Sequence, residues 1–374
     1  MSVSNISTQN KYLLWVKAGG RCMFRGCNKP LYQDILTKRN YNQSYIAHIV
    51  ADVPGGPRGD AQRSSVLSND INNLMLLCDN HHRLIDMHDI SGHPEELLLE
   101  MKREHETRIE NISSIKPEMQ SHIVTYSANI GAHSPTVHYS TISKSLLPKF
   151  YPAQDSSINL GVVSSLNKDS DPDFWRTEAN SLHQKFDRLL FPKINDNEVK
   201  QISLFGFAPI PLLVYLGTLL NDITSVDVHQ KRRNPDTWSF DDDIETEYHF
   251  VTDEVKTNVA LKIELSDNIV DSRITSVLGD DTSIYSIRID RPDNDFVKSR
   301  KQIQDFGEKM KEAFREIKKI HGQDAVLNIF PAIPVSLAVQ LGRVWMPKAD
   351  LSMKIFDQNY ALGGFVEAIN ISHS

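Results

Sequence analysis

Apolar residues are spaced in two different ways along this chain. Through residue 112 they come in short runs, YIAHIVAD and LMLLC, that read as two β-strands. A short helix over Lys11 to Lys17 precedes them and should stop at Gly19-Gly20, and VPGGPRGDAQRSS between them is a loop. HPEELLLEMKREHETRIENI follows as a helix, with Leu97, Leu98, Met101 and Ile109 as an incomplete apolar stripe.

Beyond that point the pattern changes. SHIVTYSANIGAHSPTVHYSTISKSLL alternates around a Gly/Pro break, so residues 113–154 are expected to form a connector, either a β-hairpin or a strand-like link. DFWRTEANSLHQKFDRLLFP has helical spacing through Phe174, Leu182 and Phe186. From residue 155 to 374 the chain repeats itself. KQISLFGFAPIPLLVYLGTLL and AVLNIFPAIPVSLAVQLGRVW superpose at one offset, Pro209 on Pro334, Val214 on Val339, and Leu216-Gly217 on Leu341-Gly342; SVDVHQK then falls on DLSMKIF. Each unit reads strand, tight turn, helix, strand, the grammar of a parallel Rossmann-like sheet, so two such halves are expected. EYHFVTDE, VALKIELS and SIYSIRID between them read as strands, and DFVKSRKQIQDFGEKMKEAFREIKKIHG as a long helix with Phe306, Met310, Phe314 and Ile317 on one face.

Composition adds three constraints. No apolar run approaches the length that crosses a bilayer, so no membrane partner is expected. The opening MSVSNISTQNKYLLWVK lacks a charged-then-apolar secretory pattern, which makes the cytoplasm the expected location. The formal net charge of -7 hides an asymmetry, because residues 1–110 hold 13 Lys plus Arg against 13 Asp plus Glu. The negative excess therefore belongs to the back, and the front can still carry a local basic face.

All three cysteines lie in the front, where an odd, localised set suggests metal ligation rather than disulfides. Cys78-x-x-His81 has the spacing of half a structural zinc site, and Cys22 and Cys27, separated by a knuckle containing Gly26, supply the other half. Such a Cys3His site can contribute roughly 10 kcal/mol of folding free energy to a domain of this size. Adjacent to it, His82 and Asp86 stand four residues apart, on one face of any helix that begins here.

Paired cysteines, a strand ending in His48, N-L-x-x-L-C from Asn73 and the pair His81-His82 occur in the order of the HNH motif, which the front resembles. The resemblance implies an α+β, zinc-stabilised ββα-metal nuclease domain over residues 1–112. It implies His48 as the base that deprotonates water, Asn73 as the group that fixes that imidazole, and His82 as ligand of a catalytic Mg2+ or Mn2+. Many members carry an acidic or histidine ligand just before the base, where this chain has Ala47. Asp86 is the candidate for the missing carboxylate, with Asp52 second. Arg58, Arg63 and Arg83 are candidate phosphate contacts.

In the back, ligands of open α/β sheets bind at the carboxyl ends of strands, next to helix amino termini. Phe207, Pro209, Phe330 and Pro331 are the candidates from the two turns, and neither turn is a Gly-rich phosphate loop. HQKRRNPDTWSF adds Gln230, Lys231, Arg232 and Trp238, and FDQNYALGG adds Phe356, Gln358 and Tyr360, a combination of cations, amides and aromatic rings that suits phosphates and bases together. An HNH front followed by a duplicated Rossmann-like back resembles the HNH–SAVED effectors of CBASS, bacterial anti-phage systems. That resemblance implies an α/β, CARF-like SAVED sensor over residues 155–374. It further implies a cyclic di- or trinucleotide second messenger as activator, a homo-oligomer from dimer to tetramer on activation, and double-stranded DNA as substrate. A zinc-stabilised DNA-binding regulator and a restriction-type HNH nuclease without cyclic-nucleotide control are the alternative readings.

Overall fold

The computed structural model describes residues 5–131, 135–161, 168, 171, 173–241, 244–359 and 363–372. It divides into two compact units, Met1–Lys116 and Pro117–Ser374.

In the first unit α1 (Thr8–Lys17) is closed by Gly19 and Gly20, whose φ angles of 59° and 65° lie in the left-handed region that glycine enters without a Cβ penalty. β1 (Ser44–His48) and β2 (Leu74–Cys78) pair antiparallel, with His48 opposite Leu74 and Ser44 opposite Cys78. Every residue of β2 is buried although the sheet has only two strands. Its remaining backbone groups are met from elsewhere: Met23 N–H donates to the Leu76 carbonyl at 2.9 Å and the Lys102 ammonium to the Leu74 carbonyl at 2.9 Å. Chain reversal at Cys78 starts α2 (Asp79–Arg83), which runs on through a wider turn over Leu84–His88, and α3 (Glu95–Ser113) closes the unit with Leu98 and Met101 in the core.

The second unit holds two sheets. In the first, β3 (Gln120–Ser127), β6 (Gln201–Phe207) and β7 (Ser225–His229) are parallel, and the short strands β4 (Tyr151–Pro152) and β5 (Ile158–Asn159) also pair β3. The hairpin expected within 113–154 is thus corrected. The alternating stretch is a parallel strand whose partner, β6, lies beyond α4 (Phe174–Lys185), and pairing at that separation leaves no local turn signal.

The second sheet has the order β13-β12-β11-β9-β10-β8. Its strands are β8 (His249–Val251), β9 (Asn258–Glu264), β10 (Thr282–Arg288), β11 (Val326–Ala332), β12 (Ser352–Asn359) and β13 (Gly364–Ile371). The inner four are parallel, and the edge strands β8 and β13 are antiparallel to their neighbours. Pro331, which has no N–H to give, falls where β11 has ceased to pair β12, a pairing that ends at Ile329 opposite Ile355.

The two repeat units are β6–α5–β7 and β11–α8–β12, with α5 at Ile210–Leu220 and α8 at Val335–Val344; α6 (Asp271–Leu278) and α7 (Arg300–His321) are the other helices of the second half. α7 begins in a capping box between Ser299 and Gln302 and buries Phe306, Met310, Phe314 and Ile317.

α5 and α8 cross where the repeat places its Leu-Gly pairs. A Cβ on Gly342 would lie 1.9 Å from the Val214 carbonyl oxygen, and one on Gly217 would lie 2.2 Å from that of Val339. Both obstacles are backbone, so neither can rotate aside. Gly342→Ala is expected to cost about 3 kcal/mol or more by overpacking, read as a lowered urea midpoint; an unchanged midpoint would contradict the contact.

Candidate functional site

Four ligand atoms of Cys22, Cys27, Cys78 and His81 lie within 4.8 Å of one another. Local geometry brings them there: Gly26 takes a φ of 83° in the knuckle, and Cys78 sits at the amino end of α2 so that His81 returns one turn later. His81 Nδ1 is 3.2 Å from Cys78 Sγ and 3.6 Å from Cys22 Sγ, close to the edge of about 3.5 Å that tetrahedral zinc bonds would set. The Phe24 ring stacks flat on His81 at 4.0 Å and fixes its plane. Burial lowers the His81 pKa, which keeps the imidazole neutral as a ligand must be, and burial pushes the Cys22 thiol up. Three thiols and an imidazole gathered this way fit a thiophilic divalent ion and could hold zinc.

His48 ends β1 and is 8% exposed. Its Nε2 lies 2.9 Å from the Ser68 carbonyl oxygen, which can only accept, so Nε2 carries the proton and Nδ1 of the neutral ring keeps its lone pair. Asn73 holds the loop that leaves β1. Its Oδ1 accepts from Val50 N–H at 2.8 Å, while Nδ2 donates to the carbonyls of Val50 at 2.8 Å and Leu67 at 3.1 Å. The amide therefore clamps the backbone two residues past His48.

His82 stacks on Tyr45 of β1 at 5.0 Å, and its Nε2 faces Asp86 Oδ2 at 3.4 Å. Asp86 is thus beside His82, but its Oδ1 is held by Arg58 at 2.6 Å. Arg58 is the residue whose role the sequence did not disclose. Its side chain is 7% exposed, its φ is 56°, and it donates to the carbonyls of Ile49 at 2.6 Å and Ile85 at 2.7 Å. So it is a strut tying β1's exit to the turn after α2, not a phosphate contact. The other two proposed phosphate contacts are also occupied, Arg63 by Glu95 and Arg83 by Asp79. Asp52 belongs to the loop after β1.

In the second unit a cavity of about 840 Å³ lies between the two repeat units. Of the sequence-named residues, Phe207, Pro209, Gln230, Lys231, Arg232 and Gln358 line it. The second-half turn enters through Ile333, Pro334 and Val335 rather than Phe330 and Pro331. The repeat's own offset, Pro209 on Pro334, carries that correction. Phe330 is fully buried and stacked on Phe356 at 4.5 Å, and Pro331 lies within β11. Trp238 is buried edge-on against Phe205 at 5.3 Å. Phe330, Phe356 and Trp238 pack cores; Tyr360 lies outside the described residues.

Gln230 is already engaged. Its Oε1 accepts from Ser336 N–H at 3.1 Å and from the Ser336 hydroxyl at 2.7 Å, so a first-half residue caps the amino end of α8 in the second half. Two buried atoms of cavity residues, Arg232 Nε and Gln358 Oε1, have no hydrogen-bond partner among the described residues. A donor and an acceptor left bare in one cavity are what a polar ligand would satisfy.

No helix among the described residues is long and apolar enough to cross a membrane. Among solved structures, the Acinetobacter baumannii Cap4 SAVED/CARF-domain containing receptor with the cyclic trinucleotide 2'3'3'-cAAA is similar at 11% identity and a TM-score of 0.44, over 74% of this chain and 56% of that chain. The same receptor without a named ligand gives 12% and 0.43 over 84% and 66%, and the Moraxella osloensis receptor 10% and 0.40 over 74% and 58%. The chain therefore spans less than two thirds of the length of these receptors. No curated protein matches it. The family model for HNH endonuclease matches residues 22–91, which hold the cysteine cluster, His48, Asn73 and His82. The model for the SMODS-associated and fused to various effectors sensor domain matches residues 182–371, half of the chain, so this protein belongs to the SAVED family and carries an HNH endonuclease domain ahead of its sensor.

Proposed function

We infer that the protein is a metal-dependent endonuclease that degrades double-stranded DNA in anti-phage defence, switched on when a cyclic di- or trinucleotide binds its sensor unit and drives oligomerisation. The observation that carries the nuclease half is His48, whose ring is tautomer-locked by Ser68 and left with an accepting Nδ1. Such a nitrogen can take a proton from water as it attacks a phosphodiester. Asn73 holds the adjoining backbone at Val50, and His82 with the Asp86 oxygen that faces it offers the ligands for a catalytic Mg2+ or Mn2+. When bound, that ion would neutralise charge on the scissile phosphate and on the leaving oxygen. Zinc in the Cys22, Cys27, Cys78 and His81 cluster would be structural.

The sensor half rests on the cavity. Arg233 offers charge for phosphates, Lys231 and Arg232 line the wall while paired with Asp236 and Asp241, and Gln358 Oε1, bare among the described residues, can accept from a base edge. Because Gln230 joins the halves at the cavity wall, a ligand seated there contacts both, which is how binding could favour one arrangement over another. The test incubates plasmid and Mg2+ with the protein and individual cyclic di- and trinucleotides, while gel filtration follows its size. Cleavage and a larger species are expected with one of them; equal cutting with and without every ligand would remove the sensor from control of the nuclease.

A further inference from the structure

Between the cysteine knuckle and β1 the chain makes a hairpin that lies outside the sites already described. It leaves the fold at buried Leu31, whose N–H donates to the Gly20 carbonyl at 2.9 Å, and returns at Gln43, whose N–H donates to the Leu31 carbonyl at 2.8 Å. Its base is fastened to the cluster, because Cys22 N–H donates to the Lys29 carbonyl at 3.0 Å. Its arms are bridged at Gln33 and Asn40, and Tyr41 N–H donates to the Tyr32 carbonyl at 3.0 Å. The tip is closed by Asp34, whose Oδ1 accepts from Leu36 N–H at 3.1 Å, Thr37 N–H at 2.7 Å and the Thr37 hydroxyl at 3.0 Å. A tip so fully bonded holds its shape.

What it holds out is apolar: Leu36 is 89% exposed and Ile35 is 50% exposed. Directly behind them Lys38 and Arg39 are exposed and form no ion pair among the described residues. In the same unit Lys17, Arg25, Arg58, Arg63, Arg83 and Lys102 are paired with carboxylates, while Lys11, Arg21, Lys29, Arg103 and Arg108 share with Lys38 and Arg39 the lack of an ion pair among the described residues. A stiff projection with a leucine at its point and unpaired cations at its shoulder has the chemistry of a side chain that enters between base pairs while its neighbours grip phosphates.

We propose that the Leu31–Gln43 hairpin is a DNA wedge, with Leu36 partly unstacking a base step from the minor groove and Lys38 and Arg39 holding the flanking phosphates. The proposal rests on the nuclease reading and adds to it the element that grips and deforms the duplex. Because a wedge and phosphate contacts read deformability rather than base edges, affinity with little sequence preference is the expected consequence.

The test uses full-length protein carrying His48→Ala, so that DNA is bound and not cut, and duplexes with 2-aminopurine at successive positions. Fluorescence should rise on binding, fall back to that of free duplex with Leu36→Ser, and return with Leu36→Phe. Lys38→Ala with Arg39→Ala should weaken binding about 10-fold and flatten the dependence of log affinity on log salt by about 2. Unchanged fluorescence, affinity and salt slope in these variants overturns the wedge and leaves the nuclease reading standing. A His48→Ala protein that binds no duplex, both alone and with each cyclic di- and trinucleotide, removes both. Should Leu36→Ser instead dissociate an oligomer with DNA affinity unchanged, the tip is a protein contact and the wedge is wrong.

Discussion

Replacing His48 by Ala should reduce plasmid cleavage by about 10²–10⁴-fold, the usual contribution of a positioned general base. The same variant should keep its bound metal and most of its stability. β1 pairs β2 through backbone, so the strand survives; the loss is one hydrogen bond to the Ser68 carbonyl, about 1 kcal/mol. Cleavage at the unaltered rate would take the base role from His48. Asp86→Asn is the sharper companion, because an amide oxygen can still accept from Arg58 while the charge facing His82 is gone. Asp86→Ala would confound the result by leaving the buried Arg58 guanidinium unpaired. Lost cleavage with an unchanged melting profile in the Asn variant would support Asp86 as the carboxylate standing in for Ala47's missing ligand.

Chelation, or Cys78→Ser, should unfold the first unit outright. The cluster is expected to contribute roughly 10 kcal/mol, comparable to the whole stability of a small domain, and no disulfide stands in for it because all three cysteines are free. The second unit keeps its own core of buried aliphatic and aromatic residues and should still melt cooperatively. Calorimetry with and without excess chelator, alongside a metal assay, should therefore show one transition lost and one retained. A first unit that stays folded without metal would refute the structural role of the four ligands.

Features written as short spacings were legible in advance. Cys22 to Cys27 and Cys78 to His81 name their own cluster, since a knuckle and a helix turn fix where those side chains go. The Leu216-Gly217 and Leu341-Gly342 pairs located both repeat units. What depended on distant partners was not legible. Arg58 looks like a phosphate contact because its real partners, the carbonyls of Ile49 and Ile85 and the Asp86 carboxylate, carry no mark in the sequence. Trp238, Phe330 and Phe356 fit a pocket and a core equally well by type, and burial decided for the core. Gln230 has the chemistry of a ligand contact, yet a helix amino terminus from the other half of the chain claims its oxygen.

Tandem copies ordinarily drift apart, each residue answering only to its own surroundings. Gly217 and Gly342 are denied that freedom, since either one gaining a methyl group collides with the main chain of the opposite copy. At this one place the copies must be inherited as a matched set.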